Sequence, residues 1–162
     1  MKKLLQQYAT YNIWANDLMI AAMMQMPIGM AEMEMHSSFK TIKTTVIHMW
    51  SAEDTWLQRL RHVTDPVWAA AQFSGSFEEV CINWRMSSAA MADYIEELDE
   101  AAIAGDVHYK DLKGNSYTTP VAEIIQHVFN HATYHRGQLV TMMRTAGVTT
   151  IPGTDFIKFV RL

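Results

Sequence analysis

The longest stretch of helical periodicity, residues 119–147, constrains the fold of this chain more than any other segment. Thr119 is a candidate N-cap, Pro120 suits the first helical position, and Gly147 supplies a glycine just past the end. Apolar residues recur between these limits every three or four positions, so one broad face belongs to a core. They are Val121, Ile124, Ile125, Val128, Phe129, Ala132, Leu139, Met142 and Met143. The sequence therefore predicts one long amphipathic helix.

Three histidines lie on this predicted helix at intervals of four residues: His127, His131 and His135. Side chains four residues apart stack on one face, so an adjacent pair can bind a single ion. The outer two are about 12 Å apart along the axis, which is too far for bonds of about 2.0–2.1 Å to one zinc. One adjacent pair with a ligand from another segment is therefore the candidate. The alternative is three packed or solvated neutral histidines.

Gly137 favours a functional explanation for this stripe. A glycine inside a helix costs about 1 kcal/mol relative to alanine, and it often marks the close approach of another element. The third ligand would come from a second helix. His48 lies in the middle of such a helix, in an apolar neighbourhood, and it is the only mid-helix histidine outside the stripe.

Three other segments have helical periodicity. The first covers residues 2–26, the second runs from Ser37 or Ser38 to about residue 62, and the third runs from residue 76 to about residue 104. Ser76 and Glu79 form a capping box at the start of the third helix. Residues 105–119 change period around a Lys-Gly-Asn turn, which predicts a small hairpin between helices three and four. The apolar residues in 149–162 are expected to pack back onto the helices.

Length and helix count predict an all-α protein, with residues 1–162 forming a single four-helix-bundle domain. The net charge of −4 provides no basic surface, so nucleic acid is not an expected partner. Cys81 is the only cysteine, which excludes an intrachain disulfide and favours a cytoplasmic location. No stretch approaches the roughly 20 apolar residues that cross a bilayer, so no membrane association is expected.

Four motifs, in order along the whole chain, carry a family resemblance. They are Y-N-I-W-A-N (residues 11–16), I-H-M-W-S-A-E-D-T-W-L-Q-R-L (47–60), H-V-F-N-H-A-T-Y-H-R-G-Q (127–138) and I-P-G-T-D-F-I-K-F (151–159). Together they resemble the DinB/YfiT-like superfamily, which is named for a DNA-damage-inducible bacterial protein. The resemblance implies a bundle with up-down-down-up helix directions and a homodimer.

The resemblance also implies a divalent metal ion, zinc or nickel, held by three histidines. Carried over by position, the ligands are His48, His131 and His135, and His127 is a neighbour of the site. Candidates for the surrounding pocket are Trp14, Asn16, His127 and Arg136. Packing explains Trp14 equally well, and a surface or interhelical salt bridge is the commoner role for such an arginine.

Three neutral histidines leave a coordination position open, which is the pattern of a catalytic site. Helical spacing directs Glu53 away from His48, so no carboxylate is placed as a general base, and a metal-bound water or thiolate is the expected nucleophile. The resemblance implies a low-molecular-weight-thiol S-transferase acting on an electrophilic small molecule. The alternatives are a metal-dependent hydrolase, or a stress-induced metal-binding or dimeric interaction protein without turnover.

Overall fold

The computed structural model describes residues 1–111 and 113–162, which form four long helices and several short elements. The long helices are α1 (Lys2–Met23), α2 (Ile42–Leu60), α3 (Phe77–Glu97) and α5 (Val121–Thr145). The short elements are two 3₁₀ turns (Met30–Glu32 and Ala69–Ala71), α4 (Glu100–Ala104), an antiparallel hairpin of β1 (Asp106–Lys110) and β2 (Ser116–Pro120), and α6 (Phe156–Val160). The predicted all-α bundle with its small hairpin is confirmed. None of the described helices combines the length and hydropathy that crossing a bilayer requires.

Helix α5 lies beside α2 and runs in the opposite direction. The Thr45 hydroxyl, near the start of α2, is 3.4 Å from the sulfur of Met142, near the end of α5. At the other end, the rings of Trp56 and His127 are 5.3 Å apart. Residue numbers thus rise along one helix as they fall along the other.

Helix α3 lies on the other side of α2 and is parallel to it. Ser88 contacts Glu53 at the middle of the pair, and the Tyr94 hydroxyl donates to the carbonyl of Leu60 further along both helices. Two parallel neighbours need a long return connection, and residues 61–76 provide it.

Helix α1 is antiparallel to α3, which completes the up-down-down-up course. Asp17 pairs with Arg85, and Gln6 donates to Glu96 at the opposite end of the two helices. The C-terminal segment packs on the outside of α1, where the ring of Phe156 stacks on that of Tyr8 at 4.9 Å. The expected return of the chain end onto the bundle is therefore confirmed.

Two helix starts differ from the sequence prediction: another residue caps α2, and no side chain caps α5. Helix α2 begins after Thr41, not Ser37 or Ser38, and Thr41 and Thr44 exchange capping-box hydrogen bonds. Helix α5 begins at Val121 and not at its predicted cap, Thr119. That threonine belongs to β2, where it pairs with β1. Strand pairing is a long-range interaction and prevails over the local capping preference.

Two helix ends also differ from the prediction. Helix α1 ends at Met23, three residues earlier than expected. The predicted third helix divides at Leu98, whose backbone is extended, and Asp99 starts the separate helix α4 by accepting a hydrogen bond from the amide of Ala102. The Ser76 capping box at the start of α3 is confirmed.

The end of α5 confirms the predicted role of Gly147, which has a φ of +91°. Its amide donates to the carbonyl of Arg144, and the amide of Val148 donates to the carbonyl of Met143. This is the Schellman arrangement, which satisfies carbonyl groups that a helix end otherwise leaves free.

A buried ring of polar side chains joins the four long helices at the middle of the bundle. Arg136 on α5 donates through Nη1 to the Oδ1 atoms of Asn12 (2.7 Å) and Asn16 (2.8 Å) on α1. Asn12 donates to Oε1 of Glu53 on α2 at 3.0 Å. Asn16 donates to the hydroxyl of Ser88 on α3 at 3.0 Å, and that hydroxyl donates to Oε2 of Glu53 at 2.8 Å. Both branches therefore lead from the guanidinium to the carboxylate.

This ring separates two apolar clusters. One contains Leu5, Ala9, Leu57, Leu60, Met91, Ile95 and Phe129, and the other contains Met19, Ile20, Val46, Met49, Trp84, Leu139 and Met143. Burial between the clusters raises the pKa of Glu53 to about 7, against the hydrogen bond from Ser88, the positive charge of Arg136 and the hydrogen bond from Asn12. The carboxyl group therefore depends on its ring partners to remain charged.

Gly137 does not mark the close approach of another element. The residue is exposed, and a Cβ built on it meets no atom within 4 Å. The expectation of tight packing at this position is wrong, and the glycine weakens α5 without a compensating contact among the described residues.

We expect that the Arg136→Met variant is less stable by about 3 kcal/mol or more, because it leaves the side-chain oxygens of Asn12 and Asn16 without their donor and removes the positive charge that opposes the rise in the pKa of Glu53. Denaturant unfolding of the metal-free protein measures the difference. The matched control is Arg85→Met, which removes an arginine from the exposed pair with Asp17 and is expected to cost less than about 1 kcal/mol. Equal losses in the two variants would contradict a structural role for the ring.

We expect that Gly137→Ala raises the free energy of unfolding by about 1 kcal/mol, since alanine favours the helix and the added methyl group has space. Gly147→Ala is the control: it has equal space but a left-handed backbone, so it is expected to lower stability by about 1–2 kcal/mol. Thermal unfolding compares the two, and a loss of stability in Gly137→Ala would show that the open space is needed.

Candidate metal centre

Three histidines converge where α2 and α5 face each other. The antiparallel packing of these helices brings His48, near the middle of α2, opposite two residues one turn apart on α5, His131 and His135. Each contributes one ring nitrogen to a group in which all three atoms lie within 4.8 Å of one another. His131 is central, because its Nε2 is 3.1 Å from Nε2 of His48 and 3.0 Å from Nε2 of His135.

The surroundings keep these imidazoles neutral. Burial and, to a smaller extent, the neighbouring histidines lower the pKa of His131 to about 3 and that of His48 to about 4. Burial also lowers the pKa of His135, although its hydrogen bond to Gln138 opposes the change. A neutral ring nitrogen with a lone pair is the form that binds a metal ion.

Gln138 fixes the protonation pattern of His135. Its Oε1 is 2.7 Å from Nδ1 of the ring, and an amide oxygen only accepts, so the ring carries its proton on Nδ1. Nε2, which points toward the other two histidines, then presents a lone pair. Gln138 is held in turn by a hydrogen bond from its Nε2 to the hydroxyl of Ser38, at 3.1 Å. Such an outer partner orients a ligating histidine and makes it more basic.

Aromatic side chains enclose the three histidines. The ring of Phe39, from the segment before α2, stacks on His48 at 4.4 Å and lies 5.8 Å from His135. Trp68, from the α2–α3 connection, lies 5.8 Å from His48, and Tyr134 meets His135 edge-on at 5.0 Å. These rings reduce the access of water to the nitrogens.

A cavity of about 350 Å³ opens beside His48 and His131. Its other lining residues are Ala52, Thr55, Trp56, Arg59, Trp68, Asp111 and Lys113. This volume lies within the range of small-molecule sites. The site thus has an enclosed side, at Phe39, and a side that a ligand can reach.

The wall that carries Trp68 is anchored to α2 by one glutamine. Gln58 donates from Nε2 to the carbonyl of Val67 at 3.0 Å and accepts from the amide of Val67 at 2.8 Å. These two hydrogen bonds resemble those between paired β-strand residues. They hold the α2–α3 connection at the mouth of the cavity.

None of the four predicted pocket residues belongs to the described lining of this cavity. His127 is exposed and touches the edge of the site, with its ring 5.8 Å from His131 and 5.3 Å from Trp56. Asn16 and Arg136 belong to the buried ring, where Arg136 has 2% of its surface exposed. Trp14 packs against Phe159 from the C-terminal helix at 5.6 Å. The last three side chains therefore pack the protein and do not line this cavity.

The separations of His131 from its two partners fit a shared divalent ion. Two nitrogens bound at about 2.1 Å to one ion are about 3.0–3.4 Å apart for coordination angles of about 90–110°. The separations of 3.0 and 3.1 Å between the nitrogens agree with that range. Three neutral imidazoles suit zinc, nickel, copper or iron, so the donor set does not select one metal.

Sequence reasoning missed Gln138, Phe39 and Trp68. The contact of Gln138 with His135 could have been predicted, because side chains three residues apart on a helix are neighbours. The two aromatic residues lie in irregular segments, where no periodicity indicates which way a side chain points.

The sequence profile described as the DinB family matches residues 1–161. The chain belongs to the DinB family. Over 157 residues it is 26% identical to Protein DinB of Bacillus subtilis (strain 168), an alignment that covers 90% of this chain and 87% of that protein.

Two solved structures of DinB-like proteins have the same fold. The crystal structure of a DinB-like protein from Bacillus cereus ATCC 10987 superposes with a TM-score of 0.72 at 19% identity, covering 92% of this chain and 94% of that one. A DinB-like protein from Bacillus subtilis superposes with a TM-score of 0.69 at 11% identity, covering 92% and 98%. At these identities the likeness establishes the DinB-like fold.

We expect that Gln138→Ala weakens zinc binding by about 10–100-fold, because His135 loses the partner that holds its ring and its proton. Competition with a zinc chelator measures the affinity. Gln126→Ala is the matched control, since Gln126 is an exposed glutamine of the same helix. Unchanged affinity in Gln138→Ala would mean that the hydrogen bond does not orient a ligand.

Proposed function

We propose that this protein is a divalent-metal-dependent enzyme that transfers a low-molecular-weight thiol to an electrophilic small molecule. The observation that carries the proposal is the convergence of three neutral imidazole nitrogens at the end of a cavity of about 350 Å³. In this proposal His48, His131 and His135 hold the ion, and zinc or nickel is the expected metal. An ion bound there supplies Lewis acidity, which lowers the pKa of a coordinated thiol or water.

The roles of the other residues follow from their positions. Gln138 keeps His135 in the ligating tautomer. Phe39 closes one side of the histidine group, so a ligand enters from the side of Ala52 and Trp68. This partly apolar wall reduces the number of water molecules that compete with a thiol for the site.

Among the described residues, the carboxylates nearest the histidines are occupied by hydrogen bonds, and this supports a thiol nucleophile. Glu53 lines a cavity of only about 10 Å³ together with His131, and its carboxylate is occupied by hydrogen bonds within the buried ring. Asp111 is the one carboxylate in the described lining of the cavity, and its oxygens accept hydrogen bonds from Lys113 and Asn115 in the hairpin turn. A thiol needs less help to lose its proton than water does, so this arrangement favours thiol transfer over hydrolysis.

Transfer would join the sulfur of the thiol to the electrophilic carbon, release the leaving group and pass the thiol proton to solvent. A hydrolase would use water in the same position, and a protein without turnover would bind the ion alone. The homodimer and the cytoplasmic location stay predictions.

We expect about one zinc or nickel ion per chain in the untagged protein, and loss of the ion in a His131→Ala, His135→Ala double variant. Mass spectrometry of the metal content measures both. The control is His127→Ala, which removes an exposed histidine of the same stripe and is expected to keep the ion. A wild-type protein that is empty and refuses added zinc and nickel would overturn the proposal.

Turnover is then measured with N-acetylcysteine and chlorodinitrobenzene, following the thioether product. Thiol transfer predicts a metal-dependent rate that the double variant lacks. A rate with ester substrates and no thiol would favour the hydrolase. Metal binding without either rate, across a panel of thiols and electrophiles, would favour the protein without turnover.

A further inference from the structure

An arginine lies on the same face of α2 as His48, further along the cavity. Arg59 follows His48 by 11 residues, which at about 100° per residue is three turns plus about 20°. Ala52 and Thr55 lie between them on this face and line the same cavity. A second cavity of about 700 Å³, under the β1–β2 hairpin, also contains Thr55 and Arg59 in its lining. Arg59 therefore stands where the two cavities meet.

The guanidinium of Arg59 is held in place by two aromatic rings and one hydrogen bond. Its central carbon is 4.5 Å from the ring centre of Trp56 and 5.0 Å from that of Tyr109. Nη2 donates to the carbonyl of Lys110 at 3.2 Å. Because the guanidinium is already stacked and hydrogen-bonded, it loses little conformational freedom when it binds a ligand.

This arginine has hydrogen-bonding capacity left over. Within residues 1–111 and 113–162 its guanidinium forms no ion pair, its Nη1 has no hydrogen-bond partner, and its buried Nε has none either. The nearby carboxylate of Asp111 is occupied by the hairpin turn, where it accepts from the amides of Lys113 and Asn115. A half-buried cation with free donors is the arrangement that binds an anion.

Other charges around the two cavities add to this effect. The cationic side chains in the two linings are Arg59, Lys110 and Lys113, against the carboxylates of Asp65 and Asp111. The lining thus has a small excess of positive charge in a protein whose net charge is −4. An anionic ligand is attracted to this part of the surface although the whole molecule is acidic.

We propose that Arg59 binds the carboxylate of an extended ligand whose other end reaches the three histidines. The inference rests on the proposed function and names its substrate class: a thiol of peptide-like length with a carboxylate at the far end. The level of Arg59 is about 16 Å from that of His48 along the helix, and the arginine side chain leans back toward the N-terminus and shortens this span. Two or three extended residues, at about 3.3–3.6 Å each, match what is left.

The test uses zinc-loaded protein and one pair of probes, the tripeptide N-acetyl-Cys-Gly-Gly with a free C-terminal carboxylate and the same peptide as its amide. Calorimetric titration is expected to give the acid an affinity about tenfold or more higher than the amide, as for a hydrogen bond to a charged group. Arg59→Gln is expected to remove this preference and to leave the zinc content unchanged.

Arg61→Gln is the matched control, because Arg61 is an exposed arginine that does not line either cavity. It removes the same charge two residues away and is expected to keep the preference. The inference is overturned if acid and amide bind wild-type protein equally, or if Arg59→Gln keeps the preference.

A failure of the proposed function can be distinguished from a failure of the anion site, because zinc binding is measured separately. If the wild-type protein binds no zinc, the same comparison is made on metal-free protein with N-acetyl-Ser-Gly-Gly as acid and amide. A preference for the acid that disappears in Arg59→Gln supports the anion site on its own. Equal binding of the two serine peptides overturns it.

Discussion

The buried ring from Arg136 through the two asparagines and Ser88 to Glu53 is the interaction on which the rest of this structure depends. Apolar contacts are not directional, so one helix can shift along another and exchange one apolar contact for a similar one at little cost in free energy. A closed hydrogen-bond ring does not tolerate it, since any shift leaves a buried polar group without a partner. We infer that the ring fixes the relative height of the four long helices. Its charges are taken out of water at a cost, so its benefit lies in specificity more than in stability.

The candidate metal centre depends on this fixed alignment of the helices. Arg136 and His135 are consecutive residues of α5, and they point to different sides of the helix because each residue turns by about 100°. One closes the ring in the interior, with 2% of its surface exposed, and the other joins the histidine group between α2 and α5. The same register that satisfies the guanidinium therefore brings the nitrogens of His48, His131 and His135 within reach of one another. Structural and chemical requirements meet in adjacent residues.

Much of this arrangement could be predicted from the sequence, because helical periodicity and capping are local. The long helix, the Ser76 capping box, the C-terminal glycine at 147 and the adjacent histidine pair all follow from neighbours in the chain. What could not be predicted depends on partners distant in sequence. Thr119 has the side chain of an N-cap but pairs with β1. Arg136, a candidate pocket residue or salt-bridge partner, instead donates to two asparagines of α1 inside the bundle. Gly137 shows a different limit, since its open surroundings have no signature in the sequence.

The parallel packing of α2 and α3 has a consequence for how this protein can change. Because the two helices are parallel, the connection between them must span the length of the bundle. Residues 61–76 form this connection on the outside of the bundle, and none of them is fully buried. Trp68 lies on this path and forms part of the walls of both cavities. The connection can therefore accept substitutions and insertions that the core would reject. Changes in this segment can therefore reshape the cavity beside the histidines while the four helices and their polar ring stay as they are.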